Sequence, residues 1–371
     1  MHSGYRVQVL VWRNKPLQLI ELRNPGFERG AEFYFAKKEK NMKITSLTMH
    51  ERQEAIHFIK SEFKKSLSKR LKLLPVVAPY FIESGIGYQD ELGGTEKPIS
   101  FHISGIGKSV EIPHSLAKWK REAVARYGCE DGTGLVVDGA YLRPDEEELD
   151  RTHSVFVDQW DWERVMKPSE RKVAYLENVI KKIHAAMLET QTKLLKKFPI
   201  LTPFIAKEIS FVTAQELETL YPEMTSKQRE YAWVKNHPFS FIRGIGGRLQ
   251  SGKPHDRRAP DYDSWVDVLN GDIVVYHPVL DDALELSSMG IRVNKKTLCE
   301  QSAIAGTESK LCQEYHQKIL HGKLPQTIGG GIGQSRLVMQ MLGAAHIGEV
   351  QPIVHSDETI KELKSKGVVL L

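Results

Sequence analysis

The sequence has little cysteine and no long apolar run, and each absence excludes a class of protein. Only three cysteines, Cys129, Cys299 and Cys312, occur in the 371 residues, far apart and without a Cys-x-x-Cys pair. They can form neither a disulfide framework nor a zinc site, so a reducing, cytoplasmic setting is expected. The apolar stretches, such as residues 9–12, are only a handful of residues long, whereas a membrane-spanning helix needs about 20. We therefore expect no membrane association.

Net charge is small and unevenly distributed. The chain has 52 basic and 47 acidic residues, a formal net charge of +5. Residues 1–41 contain eight basic and four acidic residues, so this segment accounts for +4 and the other 330 residues for only +1. A nearly neutral body does not support a broad surface for binding polyanions.

The first 41 residues differ in pattern from the rest. Residues 7–11 have the bias of a β-strand, and residues 24–26 are a turn signal. The segment lacks the apolar core of a secretory signal, and its glutamates argue against a mitochondrial presequence. Two interpretations stay open for residues 1–41: an added surface strand with a turn, or a poorly ordered tail.

Hydrophobic periodicity predicts helices flanking many short strands. Apolar residues at helical spacing predict helices over residues 46–71, over 169–198, and over 115–127 with Ser115 as its N-cap. Prolines in the β-rich run 73–81 suit an edge strand. The other predicted strands are 154–157, 209–212, 273–276 and 284–293, and the other predicted helices are 296–304, 308–320 and 333–342. This order indicates an α+β fold with a mainly antiparallel sheet.

The densest glycine cluster lies in residues 327–337, with the sequence TIGGGIGQSRL. Small residues would let the backbone approach a ligand closely, and the cluster supplies Gly329, Gly330, Gly331 and Gly333. A helix after them would direct its N-terminal amides towards an anion. No Gly-Lys-Ser/Thr follows, which excludes a Walker loop, and the dinucleotide fingerprint is incomplete. A tight structural bend is the alternative, but Arg336 in the first helical turn favours a nucleotide site.

Two acidic residues are candidates for a metal site. If a strand from residue 272 pairs antiparallel with a strand over 283–289, Asp272 and Glu285 converge. Two carboxylates, together with water and substrate phosphates, are the usual ligands of Mg²⁺. Strict alternation along the second strand places Glu285 and Ser287 on one face and Ser288 on the other. A pair of surface acids in a hairpin is the alternative.

Other polar residues suggest the floor of a binding site. Arg143, at a strand end, can clamp a phosphate with two nitrogens. Polar side chains alternate with aromatic ones in residues 153–163. Asp90 in a loop and Lys120 on a helix could hold the ammonium and a carboxylate of an amino acid. When each such residue is considered alone, a surface ion pair is the commoner explanation. The charged run 255–263 does not indicate a particular chemistry.

Together, five segments resemble one family, the ammonia-dependent asparagine synthetases, also called aspartate–ammonia ligases. The segments are 114–121, 157–166, 258–263, 285–292 and 326–337, within a resemblance that covers residues 42–350. Members resemble the catalytic core of class II aminoacyl-tRNA synthetases, above all the aspartyl and asparaginyl ones. The resemblance implies that fold, with residues 42–371 as a single catalytic domain. Residues 1–41 have no counterpart in the bacterial members, and the stretch 265–270 is shorter than theirs.

The resemblance also implies roles for individual residues. The stretch 74–81 would be the dimer-forming motif, in a homodimer built through residues 46–82. Mg²⁺ would be held by Asp272 and Glu285. The aspartate substrate would be surrounded by Asp90, Ser115, Lys120, Gln159, Ser288 and Arg336. ATP would be contacted by Arg143, Arg258, Glu285, Ser287, Gly329, Gly330, Gly331, Gly333 and Arg336. Catalytic roles would fall to Lys120, Arg143, Asp161, Asp263 and Arg336.

The implied reaction has two steps. A carboxylate is a poor electrophile, so the aspartate side chain would first attack the α-phosphorus of ATP, giving β-aspartyl-AMP and pyrophosphate. Ammonia would then displace AMP and give asparagine. Ammonium must lose a proton before it attacks, and Asp161 and Asp263 are both candidates for this general base. No cysteine lies in or next to the motifs, so glutamine is not expected as the nitrogen source.

Two rival functions predict features that this sequence lacks. A tRNA-charging enzyme would carry an anticodon-binding domain and a basic face, and the chain has no residues left over for them. A non-catalytic relative would normally have lost phosphate or metal ligands, yet Arg143, Asp272, Glu285 and Arg336 are present. The expected partners are therefore ATP, aspartate and ammonia, without tRNA.

Overall fold

The computed structural model describes residues 44–92, 94, 96–145 and 149–371. The predicted extension, residues 1–41, and the domain boundary at Met42 lie outside the described residues. The α-helices are α1 (Met49–Leu71), α2 (Ala117–Arg126), α3 (Val173–Lys197), α4 (Ala214–Leu220), α5 (Ser226–Val234), α6 (Lys295–Ala305), α7 (Glu314–Leu320), α8 (Gln334–Leu342) and α9 (Asp357–Ser365). In these ranges, no helix is both long and apolar enough to cross a membrane.

The strands form one large and one small sheet. They are β1 (Leu73–Pro75), β2 (Ile82–Glu83), β3 (Ser100–Ile103), β4 (Lys108–Glu111), β5 (Gly134–Leu142), β6 (Phe156–Val165), β7 (Ser210–Thr213), β8 (Phe239–Arg243), β9 (Asn270–His277), β10 (Asp282–Ile291) and β11 (Thr327–Gly333). The large sheet has the order β1-β5-β6-β11-β10-β9-β8-β7, and the small one β2-β4-β3. Among the described strands, only the outermost pairs, β1–β5 and β7–β8, are parallel. The predicted α+β fold with a mainly antiparallel sheet is confirmed.

The main core lies between the large sheet and the helices α1, α3 and α8. Strand β6 shows how the sequence divides the two faces of the sheet, because its side chains alternate. Trp160 and Trp162 are buried in this core, and the Trp160 ring lies 4.6 Å from that of Phe63 on α1. Gln159 and Asp161 point to the opposite face, which is left open for a ligand.

Several predicted boundaries are corrected. Helix α1 begins at Met49 because Thr48 caps it: Glu51 N donates to Thr48 Oγ1 at 3.3 Å, and Thr48 N donates to Glu51 Oε2 at 2.8 Å. The N-cap of α2 is Leu116, not Ser115. The strand predicted at 154–157 overlaps only the start of β6, which runs from Phe156 to Val165. The predicted helix 308–320 is a short 3₁₀ helix, Glu308–Cys312, followed by α7.

Candidate active site

A cavity of about 430 Å³ opens beside strands β6, β10 and β11. All the predicted site residues except Gly329 line it, namely Asp90, Ser115, Lys120, Arg143, Gln159, Asp161, Arg258, Asp263, Asp272, Glu285, Ser287, Ser288, Gly330, Gly331, Gly333 and Arg336. These residues are up to 246 positions apart in the chain, between positions 90 and 336. The fold therefore brings them to one place.

Asp90 is buried and accepts hydrogen bonds from neutral groups. Ser115 Oγ donates to Asp90 Oδ2 at 2.5 Å, and Leu92 N donates to Oδ1 at 3.0 Å. His114 Nδ1 lies 3.0 Å from the Asp90 carbonyl, which holds this loop against the segment before α2. In the described part of the chain, no basic side chain forms an ion pair with this carboxylate. A buried negative charge is thus left for a cationic group of a ligand.

Lys120 is fully buried and keeps one donor for a ligand. Its ammonium donates to Asp161 Oδ1 and, at 2.9 Å, to the Gly330 carbonyl. Since an ammonium has three donors, one remains. Asp161 Oδ2 accepts the hydrogen bond of Tyr141 Oη, so both oxygens of Asp161 have partners. Burial lowers the pKa of Lys120, although the attraction of Asp161 opposes this shift.

Arg292 is fully buried between two carboxylates. Its Nη1 donates to Asp263 Oδ1 at 2.5 Å, and its Nε and Nη2 donate to Glu163 at 3.0 and 2.7 Å. Burial raises the pKa of Asp263, although Arg292 and Arg258 pull it down. Arg292 contacts only one oxygen of Asp263, which also lines the cavity. Asp263 is thus suited to accept a proton.

The predicted antiparallel pairing of β9 and β10 brings Asp272 and Glu285 together. Ser288 Oγ lies 2.8 Å from Asp272 Oδ1 and 3.0 Å from Glu285 Oε1. The prediction that strict alternation places Glu285 and Ser288 on opposite faces is wrong. A β-bulge between Glu285 and Ser287 inserts Leu286, which shifts the register by one residue. Glu285 and Ser288 therefore share a face.

The two carboxylates have opposite electrostatic surroundings. Burial, and then repulsion from Glu285, raise the pKa of Asp272 to about 7, although Arg258 opposes them. Burial would also raise the pKa of Glu285, but Arg336 and Lys227 lower it to about 2. Arg258 Nη2 donates to Asp272 Oδ1 at 2.6 Å. Glu285 is therefore held in its ionised form, whereas the ionised form of Asp272 would be stabilised by a nearby cation.

Two arginines line the cavity without a direct ion pair to a carboxylate among the described residues. Arg143 Nη2 donates to the His114 carbonyl at 3.1 Å, and its buried Nε has no hydrogen-bond partner among the residues that the structure describes. Arg336 lies in the first turn of α8, where its Nε and Nη1 donate to the carbonyls of Thr152 and Glu285 at 3.3 and 3.1 Å. Among the described residues, neither guanidinium forms an ion pair with a carboxylate. Both are therefore available to an anionic ligand.

The glycine cluster forms neither a bend nor a ligand loop; it is strand β11. At three of its four glycines, Gly329, Gly330 and Gly331, neighbouring atoms fill the space of a Cβ, whereas a Cβ on Gly333 would make only an ordinary contact. A Cβ on Gly329 would lie 1.8 Å from Glu163 Oε2, and one on Gly331 would lie 2.3 Å from Gln159 Oε1. Gly329 thus makes room for the ion pair of Arg292 and Glu163. The predicted close approach of this backbone to a ligand stays a prediction, and Gly330, Gly331 and Gly333 line the cavity.

Some lining and supporting residues were not predicted. Ser335 N and Oγ bind Asp158 at 3.0 and 2.9 Å, which fixes the start of α8 against β6. Tyr262 also lines the cavity. Tyr141 lies on β5, where Asp138 and Gly139 interrupt the apolar run that would otherwise indicate a strand. Glu163 and Arg292 meet because strands that are distant in the sequence lie side by side in the sheet. No local sequence pattern indicates this pairing.

Solved structures with this architecture are class II aminoacyl-tRNA synthetases. The asparaginyl-tRNA synthetase from Pyrococcus horikoshii complexed with asparaginyl-adenylate matches 91% of this chain and 76% of its own, with a TM-score of 0.59 and 13% identity. The Entamoeba histolytica enzyme in complex with asparaginyl-adenylate matches 82% of this chain and 66% of its own, with a TM-score of 0.57 and 15% identity. The chain therefore has the class II synthetase fold.

Sequence relatives define the family more narrowly. The family model described as aspartate–ammonia ligase matches residues 50–367. An aspartate–ammonia ligase from Bacillus cereus (strain B4264) is 48% identical over 324 residues, which cover 87% of this chain and 98% of the relative. One from Bacillus mycoides (strain KBAB4) is 47% identical over the same length. The chain belongs to the aspartate–ammonia ligase family and is a ligase, so the resemblance found in the sequence is confirmed.

Proposed function

We propose that this ligase makes L-asparagine from L-aspartate, ammonia and ATP through β-aspartyl-AMP, releasing AMP and pyrophosphate. The side-chain carboxylate of aspartate attacks the α-phosphorus, pyrophosphate leaves, and ammonia then displaces AMP. The observation that supports this reaction best is that one cavity combines groups for an amino acid with groups for phosphates. Asp90 and Lys120 are the former, and Arg143 and Arg336 are the latter.

Binding of aspartate uses opposite charges at two points. The unpaired carboxylate of Asp90 binds the substrate ammonium, with Ser115 fixing its orientation. The remaining N–H of Lys120 binds a substrate carboxylate. Gln159 and Ser288 line the same cavity and supply neutral polar contacts. This anchoring decides which of the two substrate carboxylates faces the phosphate.

Binding of ATP relies on two guanidinium groups that form no direct ion pair with any carboxylate of the described residues. Arg143 holds the α-phosphate and Arg336 holds the nucleotide from the first turn of α8. The buried hydroxyl of Ser287 has no hydrogen-bond partner in the described ranges and lines the cavity, so it can donate to a phosphate oxygen. These fixed charges offset the negative charge that grows on the phosphates as the bond to pyrophosphate breaks.

Asp272 and Glu285 fit a Mg²⁺ site by the chemistry of their donors. Both present carboxylate oxygens to one hydroxyl, that of Ser288, and the pKa of Asp272 rises to about 7 partly because Glu285 repels it. No cluster of three or more His, Cys, Asp or Glu that could hold a metal occurs in the described ranges. Two carboxylates are enough when phosphates and water complete the ligands. When bound, Mg²⁺ would neutralise part of the phosphate charge.

Asp263 is the better of the two candidates for the base that deprotonates ammonium. Asp161 already accepts hydrogen bonds at both oxygens, from Lys120 and Tyr141. Arg292 contacts only one oxygen of Asp263, whose pKa is raised by burial. A carboxylate with a raised pKa takes up a proton more readily. We therefore assign the proton transfer to Asp263.

A homodimer formed through residues 46–82 is part of the proposal. Strand β1 is at the edge of the large sheet. Beyond it, Val77 is 84% exposed and Tyr80 is 81% exposed. Large exposed apolar side chains next to an unpaired strand edge are typical of a surface that a partner covers. A cytoplasmic location also remains a proposal.

Product analysis tests the reaction. The purified protein is incubated with ATP, aspartate and ammonium, and nucleotides and amino acids are quantified. Asparagine with equal amounts of AMP and pyrophosphate is expected, whereas ADP and phosphate would contradict the adenylate route. In parallel reactions, faster synthesis from glutamine than from ammonium would contradict the nitrogen source. Transfer of an amino acid to tRNA would instead support a tRNA-charging enzyme.

A further inference from the structure

Outside the cavity, three buried polar side chains form a network that the proposed reaction does not use. Lys118 Nζ lies 2.6 Å from Asp261 Oδ2, and His316 Nε2 lies 2.9 Å from the same oxygen. All three residues are buried, and none lines the cavity. Burial alone would raise the pKa of Asp261, but Lys118 and His316 lower it to about 2. The carboxylate is thus kept ionised by its two partners.

The network joins segments that carry predicted aspartate-binding and catalytic residues. Lys118 lies on α2 two positions before Lys120, and Asp261 lies in a loop two positions before Asp263. The ion pair between Lys118 and Asp261 therefore ties this helix to this loop. Apolar contacts among Ala117, Ala259 and Tyr262 reinforce the same junction.

The helix that carries His316, α7, also holds the loop of Asp90. Tyr315 packs edge-on against Tyr88 with ring centroids 5.4 Å apart. The backbone turn at Gly87 passes so close that a Cβ there would lie 3.4 Å from His316 Nδ1. His316 therefore sits between the loop that leads to Asp90 and the carboxylate of Asp261.

We propose that Lys118, Asp261 and His316 form a positioning network that sets the distances among Asp90, Lys120 and Asp263. The inference rests on the proposed function, because it assigns the network to the aspartate substrate. An ionic group left buried without its partner is costly, so loss of one member releases the loops from their common anchor. A small displacement of binding groups is enough to weaken substrate binding and catalysis.

The residues proposed to bind phosphates and Mg²⁺ are held by elements other than the loops that the network joins. Asp272 and Glu285 lie on the central strands β9 and β10, and Arg336 lies at the start of α8. In the described part of the chain, none of these three side chains is hydrogen-bonded to the network. Arg258 lies in the same loop as Asp261, but Ser288 and Asp272 hold its guanidinium at 2.8 and 2.6 Å. Loss of the network is therefore expected to impair binding of aspartate far more than binding of ATP.

The test compares His316→Ala and Lys118→Met with the conservative His316→Gln, whose amide can still donate to Asp261. Arg229→Met is the matched control, because Arg229 forms a similarly buried ion pair with Glu218, at 3.4 Å, on α4 and α5. Two quantities are measured: KM for aspartate and for ATP in asparagine synthesis, and hydrogen–deuterium exchange of residues 84–92 and 258–264. The exchange measurement needs no substrate.

We expect KM for aspartate to rise about tenfold in His316→Ala and Lys118→Met, with KM for ATP within about twofold of wild type. Exchange should become faster in both loops, and His316→Gln should keep wild-type values. Arg229→Met should lower Tm without changing KM for aspartate.

Three outcomes would overturn the network's role: KM values for both substrates that rise together, loops that exchange as in wild type, or the same rise in Arg229→Met. Absence of asparagine synthesis by the wild-type chain would overturn the proposed function instead. The exchange data would still decide whether the network holds the two loops.

Discussion

Asp272 and Glu285 lie on neighbouring antiparallel strands and share one hydroxyl, that of Ser288, at 2.8 and 3.0 Å. Their proximity has an electrostatic cost for Asp272, since burial and repulsion by Glu285 raise its pKa to about 7. The arrangement thus lowers the stability of the unliganded fold, and the proposed Mg²⁺ would relieve the repulsion between the two carboxylates.

We expect Asp272→Asn to lower asparagine synthesis by about 100-fold or more without lowering Tm of the unliganded protein. The amide oxygen can still accept from Arg258 and Ser288 and the repulsion of Glu285 is removed, while Asp263 and Glu285 remain as carboxylates near the buried Arg258. Thermal unfolding and activity are measured above the pKa of Asp272. Asp261→Asn is the contrasting variant: its carboxylate has a pKa of about 2 and is stabilised by its partners, so Tm should fall. A fall in Tm of more than about 3 °C in Asp272→Asn would contradict the expectation.

The assignment of Asp263 predicts a loss confined to the second step. In Asp263→Asn, pyrophosphate–ATP exchange that depends on aspartate should stay near the wild-type rate, while asparagine formation from ammonium falls about 100-fold. Hydroxylamine, which needs no deprotonation at neutral pH, should still give the hydroxamate. If hydroxylamine reacted as poorly as ammonium, Asp263 would have a role other than that of a base.

Gly329→Ala tests the reason for the glycine-rich strand. The new Cβ would lie 1.8 Å from Glu163 Oε2 and 2.6 Å from Arg292 Nη2, both in a buried ion pair. We expect the free energy of unfolding to fall by about 3 kcal/mol or more, measured by urea denaturation. Gly105→Ala is the control, because nothing lies within 4 Å of its Cβ, and it should change stability by less than about 0.5 kcal/mol. Equal effects would indicate a different cause.

Because His277 is buried, we expect the folded protein to lose stability in mild acid. Burial lowers its pKa from 6.5 to about 4; its ring nitrogens face Met339 O and Leu280 N. Between these two values the unfolded chain binds a proton that the folded protein does not. The free energy of unfolding should therefore fall as pH falls through this window, by up to about 3 kcal/mol. His277→Gln should show a flatter pH dependence than wild type, and the exposed His102→Gln should not. Parallel curves for wild type and His277→Gln would refute this.

The proposed dimer surface is tested by adding charge. Val77→Asp and Tyr80→Asp should convert a dimer into monomers in sedimentation velocity, because a carboxylate in an apolar interface is unpaired. Val354→Asp, at a residue 98% exposed and outside residues 46–82, is the matched control and should stay dimeric. A wild-type chain that sediments as a monomer would refute the proposed homodimer.

Much of the fold could be predicted because its signals are local. The stripe of α3 and the alternation of Gln159, Trp160 and Asp161 on β6 each follow from one element's own period. The strand β5 was missed because Asp138 and Gly139 interrupt its apolar run GLVVDGAYL. Its place in the sheet is decided by pairing with β6, on which the local sequence gives no information.

The sequence identifies residues that line the cavity, but it does not reveal the contacts among them. The bulge at Leu286 depends on the register of β9 against β10, which no periodicity reveals. The buried partners of Arg292, likewise, come from segments that are 129 and 29 positions away. Sequence patterns could name the polar groups of the cavity, whereas long-range packing decides which of them are already paired.

The position of strand β11 in the sheet affects the order in which strands can pair during synthesis of the chain. It is the last strand in the sequence, yet it lies between β6 and β10 in the sheet. Until residues 327–333 leave the ribosome, β6 and β10 each have an unpaired edge, which is prone to association with other chains. Lys120 also needs the Gly330 carbonyl of this strand. The proposed aspartate-binding groups are therefore completed only after residues 327–333 have been synthesised.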